Sequence, residues 1–240
     1  MAKKMRIDKL LSNIGCGSRA EIKKYCRYGI ITVNGEVVNN PGLQVDPDND
    51  IVVFDGEEVS YREFVYIMLN KPDGYISATY DKHDPIVLDL IDPIYNAFEP
   101  FPVGRLDKDT EGLLILTNDG KLSHRVLSPK KHVPKTYYAK VEGLVTENDV
   151  KAFEKGVTLD DGYETMPAQL KILNSSEESE IELTIHEGKF HQVKRMFESV
   201  GKKVVYLKRI SMGKLLLDEN LALGEYRELT EDEIKLLEER

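Results

Sequence analysis

Residues 104–120, GRLDKDTEGLLILTNDG, set a short charged loop directly against one of the most apolar runs in the chain. An uncharged run after a charged loop predicts an interior strand of a sheet, with the loop anchored at its mouth. Asp107, flanked by Arg105 and Lys108, then sits where desolvation raises a carboxylate's pKa unless a cation compensates. An acid in such a loop is most often a turn or cap residue, so a functional reading of Asp107 requires a basic partner. The stretch HQVKRMFESVG offers Lys194, three residues from both His191 and Phe197 and therefore close to an apolar stripe; Arg195 is predicted to point more toward solvent. The plain alternative is that Lys194 only snorkels along that stripe.

The rest of the chain supplies a frame for such a loop. RIDKLLSNI has apolar residues at 7, 10, 11 and 14, the spacing of an amphipathic helix. Ser18 and Glu21 stand at capping-box spacing before RAEIKKYCRY, and Gly29 is a C-terminal stop, so a second helix follows closely. The GCGSRA between them has the spacing of a dinucleotide loop, but a helical pattern precedes it where a buried strand is required, so its glycines predict a helix-helix turn. IITV-NG-EVV and IVVF-DG-EEV each predict a β-hairpin about a two-residue turn. After about residue 60 the texture changes to short strands, FVYIMLN, GLLILT, KTYYAKVEG, IELTIHEG and KKVVYLKRISMG, with helices at TENDVKAFEKG and KFHQVKRMFESVG. This predicts an α+β chain with a largely antiparallel sheet. Its boundary falls near 58 to 66, giving a helix-helix-strand domain over 1–60 and a larger domain over 61–240.

A formal net charge of −9 argues at first against a polyanionic partner, but the charge is segregated. Residues 1–40 carry eight basic side chains against three acids, residues 120–141 carry six against none, and residues 186–214 carry eight against Glu187 and Glu198. Each block alone reads as a solvated face; three of them leave room for a polyanion to meet positive surfaces. With two cysteines, Cys16 and Cys26, and no secretory pattern, a reducing cytoplasm is expected. No apolar stretch approaches the ~20 residues of a membrane span.

Familiar catalytic constellations are missing. His186 and His191 in HEGKFH are five apart with Gly188 between them, which does not suit a zinc helix, and no metal site is expected. There is no phosphate-binding GxxxxGK[ST] loop, and no GxSxG elbow that would make Ser128 or Ser211 a nucleophile. Tyr137 and Tyr138, on one strand, point to opposite faces, so only one can face a site. A tyrosine beside a carboxylate and a cation, in basic surroundings, suits an unstacked nucleobase.

In combination, GRLDKDTEGLLILTNDG, KTYYAKVEG, EGKFHQVKRMFESVG and LNKPDGYISAT resemble the motifs of bacterial ribosomal-RNA pseudouridine synthases, and residues 5–50 resemble the S4 RNA-binding module that many of them carry. The resemblance runs from Met5 to about Leu236. It implies a small S4-like domain followed by a catalytic domain with a mainly antiparallel mixed sheet flanked by helices. It also implies roles: Asp107 as the essential carboxylate, Arg105 filling the stack vacated by a flipped uridine, Tyr137 stacking on the uracil, and Lys194 keeping Asp107 ionised. Lys9, Arg19, Lys23, Lys24 and Arg27 of the S4-like helices would contact RNA.

HQVKRMF with its lysine, the short acidic tail and LGEYRELTEDEI are most similar to members that modify uridine 516 of 16S rRNA. Relatives acting on 23S rRNA usually carry arginine where Lys194 stands. The implied reaction is an isomerisation that needs no cofactor. The implied partner is 16S rRNA, free or in a partly assembled small-subunit particle, bound by a monomer away from any membrane. The same chemistry on 23S rRNA, or a non-catalytic S4-type assembly factor, are the alternatives.

Overall fold

Both two-residue turns adopt the backbone their chemistry predicts. In the computed structural model, which describes residues 4–59 and 61–239, Asn34 and Gly35 have φ of 52° and 85°, and Asp55 and Gly56 have 51° and 86°. Paired left-handed residues of this kind turn a two-residue hairpin. The elements here are β1 (Met5–Arg6), α1 (Ile7–Asn13), α2 (Arg19–Tyr28), β2 (Ile31–Val33), β3 (Glu36–Val37), β4 (Gln44–Val45), β5 (Val52–Phe54) and β6 (Glu57–Glu58). Strands β3, β2, β5 and β6 form a four-stranded sheet, and β1 pairs with β4.

The Ser18 capping box is complete: Glu21 N donates to Ser18 Oγ, Ser18 N donates to Glu21 Oε2, and Gly29 ends α2 in the left-handed conformation. Ile7, Leu10 and Leu11 of α1 and Ile22 and Cys26 of α2 pack with Ile31, Val45 and Val52. The polar faces are left outward, so Lys9, Arg19, Lys23, Lys24 and Arg27 are all exposed.

The remaining elements are β7 (Tyr66–Lys71), β8 (Phe101–Pro102), β9 (Glu111–Thr117), α3 (Gly120–Leu127), β10 (Lys135–Glu142), α4 (Glu147–Lys155), β11 (Gln169–Asn174), β12 (Glu178–Ile185), α5 (Gln192–Ser199), β13 (Lys203–Met212), β14 (Leu215–Leu216), β15 (Tyr226–Glu228) and α6 (Glu231–Leu236). Among the described residues these strands build one nine-stranded sheet, in the order β11-β12-β10-β13-β9-β7-β15, with β14 on β13 and β8 on β9. The β13–β9 pair is parallel and the other ladders antiparallel. The class is α+β.

β9 is interior, as its composition predicts: Gly112 through Thr117 are buried. Leu113 and Ile115 pack against Leu122 and Val126 of α3 and against Met212 and Leu215. At the parallel junction Gly112 pairs with Arg209. A Cβ at Gly112, whose φ is +99°, would overlap the Arg209 carbonyl oxygen, so the close approach of β9 to β13 depends on a residue without one.

Sequence patterning leaves α3, β11, β15 and α6 unread. In α3 the Asn118-Asp119-Gly120 run looks like a turn, yet Asp119 Oδ1 accepts from the backbone N–H of Lys121 and Leu122 and starts a helix. Contacts divide the chain into Met1–Val65 with Asp92–Pro100, and Tyr66–Ile91 with Phe101–Arg240. The segment 92–100 thus joins the first unit across a gap in sequence, where the Arg62 guanidinium lies 5.9 Å from the Tyr95 ring centre and 5.3 Å from that of Phe98. Among the described residues, no helix is long and apolar enough to cross a membrane.

Candidate active site

The loop before β9 is held from two sides. Ser77 Oγ donates to Leu106 O at 2.9 Å and accepts from Leu106 N at 3.0 Å, clamping the residue ahead of Asp107. Beyond Asp107, the buried Lys71 ammonium donates to Lys108 O and Thr110 O at 3.0 and 2.8 Å, and to Pro72 O at 3.0 Å. Gly74 N adds a bond to Lys108 O. Segment 71–77 therefore fixes the path of residues 106–110, and with it the direction of Asp107. No role for Lys71 or Ser77 is predicted from sequence, because their partners are backbone groups some 30 to 40 positions away.

Asp107 opens onto a cavity of about 450 Å³, within the range of small-molecule sites. Arg105 and Tyr137 line it too, with Lys135 and Arg209 from the sheet and the segment 186–191 opposite. Tyr137 lies on the buried face of β10 beside Lys135 and Ala139. Tyr138 faces the other way, donating to Glu180 at 2.7 Å and meeting Tyr206 edge-on. Arg105 is exposed and makes no hydrogen bond or ion pair with the described residues, so its guanidinium is free to move to a ligand.

Lys194 comes from the first turn of α5. Its Nζ donates to both oxygens of Asp109 at 2.7 Å and stands 3.8 Å from Asp107 Oδ2. The expected cation is beside Asp107, but its hydrogen bonds go to Asp109, an acid given no role by sequence. Burial works to raise the Asp109 carboxyl pKa, but the Lys194 hydrogen bonds and charge outweigh it, and the group ends below its ordinary value. His191 Nε2 lies 3.6 Å from Asp107 Oδ1 and adds attraction when protonated. The Asp107 side chain keeps 30% of its surface. It is half-open, not deeply seated.

Arg195 departs from expectation. Its side chain is 12% exposed against 20% for Lys194. Arg195 Nε donates to Asp160 at 2.6 Å, and Nη2 pairs with Asp161 at 2.7 Å. Exposed acids beyond α4 pair with it and cover it at the surface, which helical spacing within α5 does not reveal.

The opposite wall is a hydrogen-bonded frame. Glu187 accepts from Tyr163 Oη at 2.6 Å, Met166 N at 2.9 Å and Gln192 Nε2 at 2.7 Å. His191 has a left-handed backbone, φ 49°, as it starts α5, and stacks at 3.7 Å on Phe190, whose exposed ring sits at the cavity rim. His186 Nδ1 lies 3.1 Å from His132 O, and both residues border the same cavity. Among the described residues, no three or more His, Cys, Asp or Glu side chains gather where they could hold a metal.

Such a cavity, with a carboxylate beside a lysine, a buried tyrosine and exposed aromatic and basic groups at its rim, can take a planar polar ring attached to an anionic strand. Comparison with known proteins agrees. Residues 65–199 match the family described as RNA pseudouridylate synthase, and residues 5–52 match the S4 domain. An RNA pseudouridine synthase of Bacillus subtilis (strain 168) is 53% identical over 236 residues, covering 98% of this chain and 99% of the relative. The ribosomal small subunit pseudouridine synthase A of Escherichia coli (strain K12) is 42% identical over 233 residues, covering 96% and 98%. A crystal structure of a pseudouridylate synthase superposes with a TM-score of 0.68 at 39% identity, over 97% of this chain and 99% of that one.

Proposed function

The chain belongs to the RNA pseudouridylate synthase family, and from that premise we propose that it converts uridine 516 of 16S rRNA to pseudouridine, with Asp107 as the catalytic carboxylate. The observation that carries the reading is the meeting of Asp107, Arg105 and Tyr137 in one cavity, with Lys194 within 4 Å of Asp107.

In this reading the target uridine leaves its stack and enters the cavity, at a cost of a few kcal/mol offset by stacking and backbone contacts. Tyr137 stacks on the uracil, and the unpaired Arg105 guanidinium fills the space left behind. The N1–C1′ bond breaks, the base turns, and C5 bonds to the same sugar carbon, so nothing is added or lost. Two routes are open to an ionised Asp107: attack on C1′ to give a covalent intermediate, or removal of the C2′ proton to give a glycal. Lys194 Nζ, 3.8 Å from Asp107 Oδ2, and His191 Nε2, 3.6 Å from Oδ1, flank the carboxylate on either route. Lys9, Arg19, Lys23, Lys24 and Arg27 supply salt-sensitive contacts to RNA phosphates. In this reading the protein acts as a monomer on rRNA in the cytoplasm.

Similarity to the small-subunit enzyme across nearly the whole chain is the support for the 16S target. The test is nucleotide-resolution pseudouridine mapping of both rRNAs with and without the gene, complemented with wild type or Asp107→Asn. The expected result is loss of pseudouridine at position 516 of 16S rRNA in the deletion, restored by wild type only. Loss at a 23S position would move the target, and retained turnover by Asp107→Asn would end the catalytic assignment.

A further inference from the structure

Two buried cations line the cavity and, among the described residues, neither makes an ion pair. Arg209 keeps 2% of its surface and Lys135 8%, and both border the space that Asp107 and Tyr137 share. Arg209 is the cross-strand partner of Tyr137, and Lys135 stands two residues before Tyr137 on the same face of β10. Arg209 Nε donates to Leu113 O at 2.8 Å, but its Nη2 is buried and has no hydrogen-bond partner among the described residues. Lys135 Nζ donates to Val133 O at 2.9 Å, one bond from a group with three donors. Lys71 is the contrast: equally buried, it satisfies its ammonium on three carbonyls.

Burying unpaired charge is costly, and an orphaned buried donor calls for a reason. Here a ligand supplies it. Burial, reinforced by the Arg209 charge, pulls Lys135 down to about 8, so it is charged at neutral pH yet close to releasing its proton.

We propose that Lys135 and Arg209 form a subsite for the flipped pyrimidine, donating to its ring carbonyl oxygens and holding the negative charge the base carries once its bond to the sugar has broken. This rests on the reading of Asp107 and Tyr137 given above. The N1–C1′ electron pair leaves with the base, giving a uracil anion with charge spread over N1, O2 and O4. C5 then bonds to C1′, the C5 proton departs, and N1 takes up a proton, so atoms and charge balance. Both side chains only donate, so they accept a base that offers carbonyl oxygens and oppose one with an amine at position 4, which selects uracil over cytosine. The other anion RNA brings, a phosphodiester, is tethered on both sides and stays at the rim, where the exposed Arg105 and Lys189 stand. A flipped base reaches the buried pair.

The charged and titratable groups that share the cavity with Lys135 are Arg209 of β13, Tyr137 of β10, Arg105 and Asp107 before β9, His132 before β10, Tyr163 before β11, and His186, Glu187, Lys189 and His191 between β12 and α5. The experiment measures single-turnover pseudouridine formation in unmodified small-subunit rRNA, free and as particles, from about pH 6 to about pH 9.5. Wild type, Lys135→Met and Lys135→Arg are compared, with RNA affinity measured separately. The wild-type rate is expected to fall above about pH 8, where Lys135 loses its proton. Lys135→Met is expected to be at least about tenfold slower with affinity within about twofold. Lys135→Arg is expected to recover part of that loss and to show no alkaline fall, because a guanidinium stays charged.

A methionine variant that turns over at the wild-type rate, or that loses affinity while keeping its maximal rate, overturns the proposal. If the methionine variant shows no cooperative thermal transition, the arginine variant decides, and an alkaline fall persisting in it overturns the proposal equally. A wild-type protein that makes no pseudouridine in either rRNA refutes the parent reading, and this one with it, before any variant is compared.

Discussion

Lys194 holds Asp109 through two hydrogen bonds of 2.7 Å, while the Asp107 carboxylate that opens into the cavity lies 3.8 Å from the same ammonium. One cation therefore serves two acids, one as a structural anchor and one as a charge partner at longer range. Removing each member has a different expected result. Lys194→Met takes the nearby ammonium from Asp107 and is expected to lower single-turnover pseudouridine formation by about a hundredfold or more. Asp109→Asn leaves that charge in place but loosens its anchor, and a loss of only about threefold to tenfold is expected. Equal losses in the two variants would contradict this division of labour.

Ser77 uses one hydroxyl to satisfy both backbone groups of Leu106. Ser77→Ala leaves a part-buried N–H and C=O without that partner and is expected to cost about 1 to 2 kcal/mol in urea unfolding. Because the clamp sits next to Asp107, turnover is also expected to drop about tenfold while RNA affinity holds, since misplacing a reacting group costs rate more than binding.

Gly112→Ala sets a methyl group against the Arg209 backbone, 2.8 Å from its nitrogen and overlapping its carbonyl oxygen, at a residue with φ of +99°. Neither contact is with a flexible side chain that can move aside. A destabilisation of about 3 kcal/mol or more is expected by denaturant titration. A variant as stable as wild type would mean that β9 and β13 do not approach as described.

Glu233 carries a pH dependence. Two Arg227 hydrogen bonds, at 2.7 and 2.9 Å, hold its carboxyl down to about 2 against an ordinary value of 4.5. A group held ionised in this way stabilises the fold fully above its unfolded pKa and loses that contribution as the pH falls from about 4.5 toward about 2. Glu233→Gln is expected to cost about 1 kcal/mol at neutral pH, a modest figure because the pair is partly open to solvent. The gap between variant and wild type should close as urea titrations move down toward about pH 3. A gap independent of pH would assign the effect to the lost cap of α6 instead.

Much of this protein is legible locally. The Asn34-Gly35 and Asp55-Gly56 turns, the Ser18–Glu21 box and the buried run of β9 are each fixed by a few adjacent residues, and each forms as its chemistry requires. Family motifs bring Arg105, Asp107, Tyr137 and Lys194 to attention, and the fold gathers the first three around one cavity and sets Lys194 beside Asp107.

What tertiary structure alone decides is which of several nearby groups each charge meets. No local pattern sends the Lys194 hydrogen bonds to Asp109, pairs Arg195 with Asp160 and Asp161, or sets Ser77 and Lys71 on the backbone around Asp107. Nor does composition show that the β10–β13 pairing sets Arg209 beside Tyr137, or that on the other side of β13 the parallel pairing with β9, admitted by the absence of a side chain at Gly112, leaves Arg209 a donor without a partner among the described residues. Periodicity and turn chemistry act over a few residues and are written along the chain. Partner choice among charges depends on distances of an ångström or two between segments tens of residues apart, and those exist only once the sheet has closed.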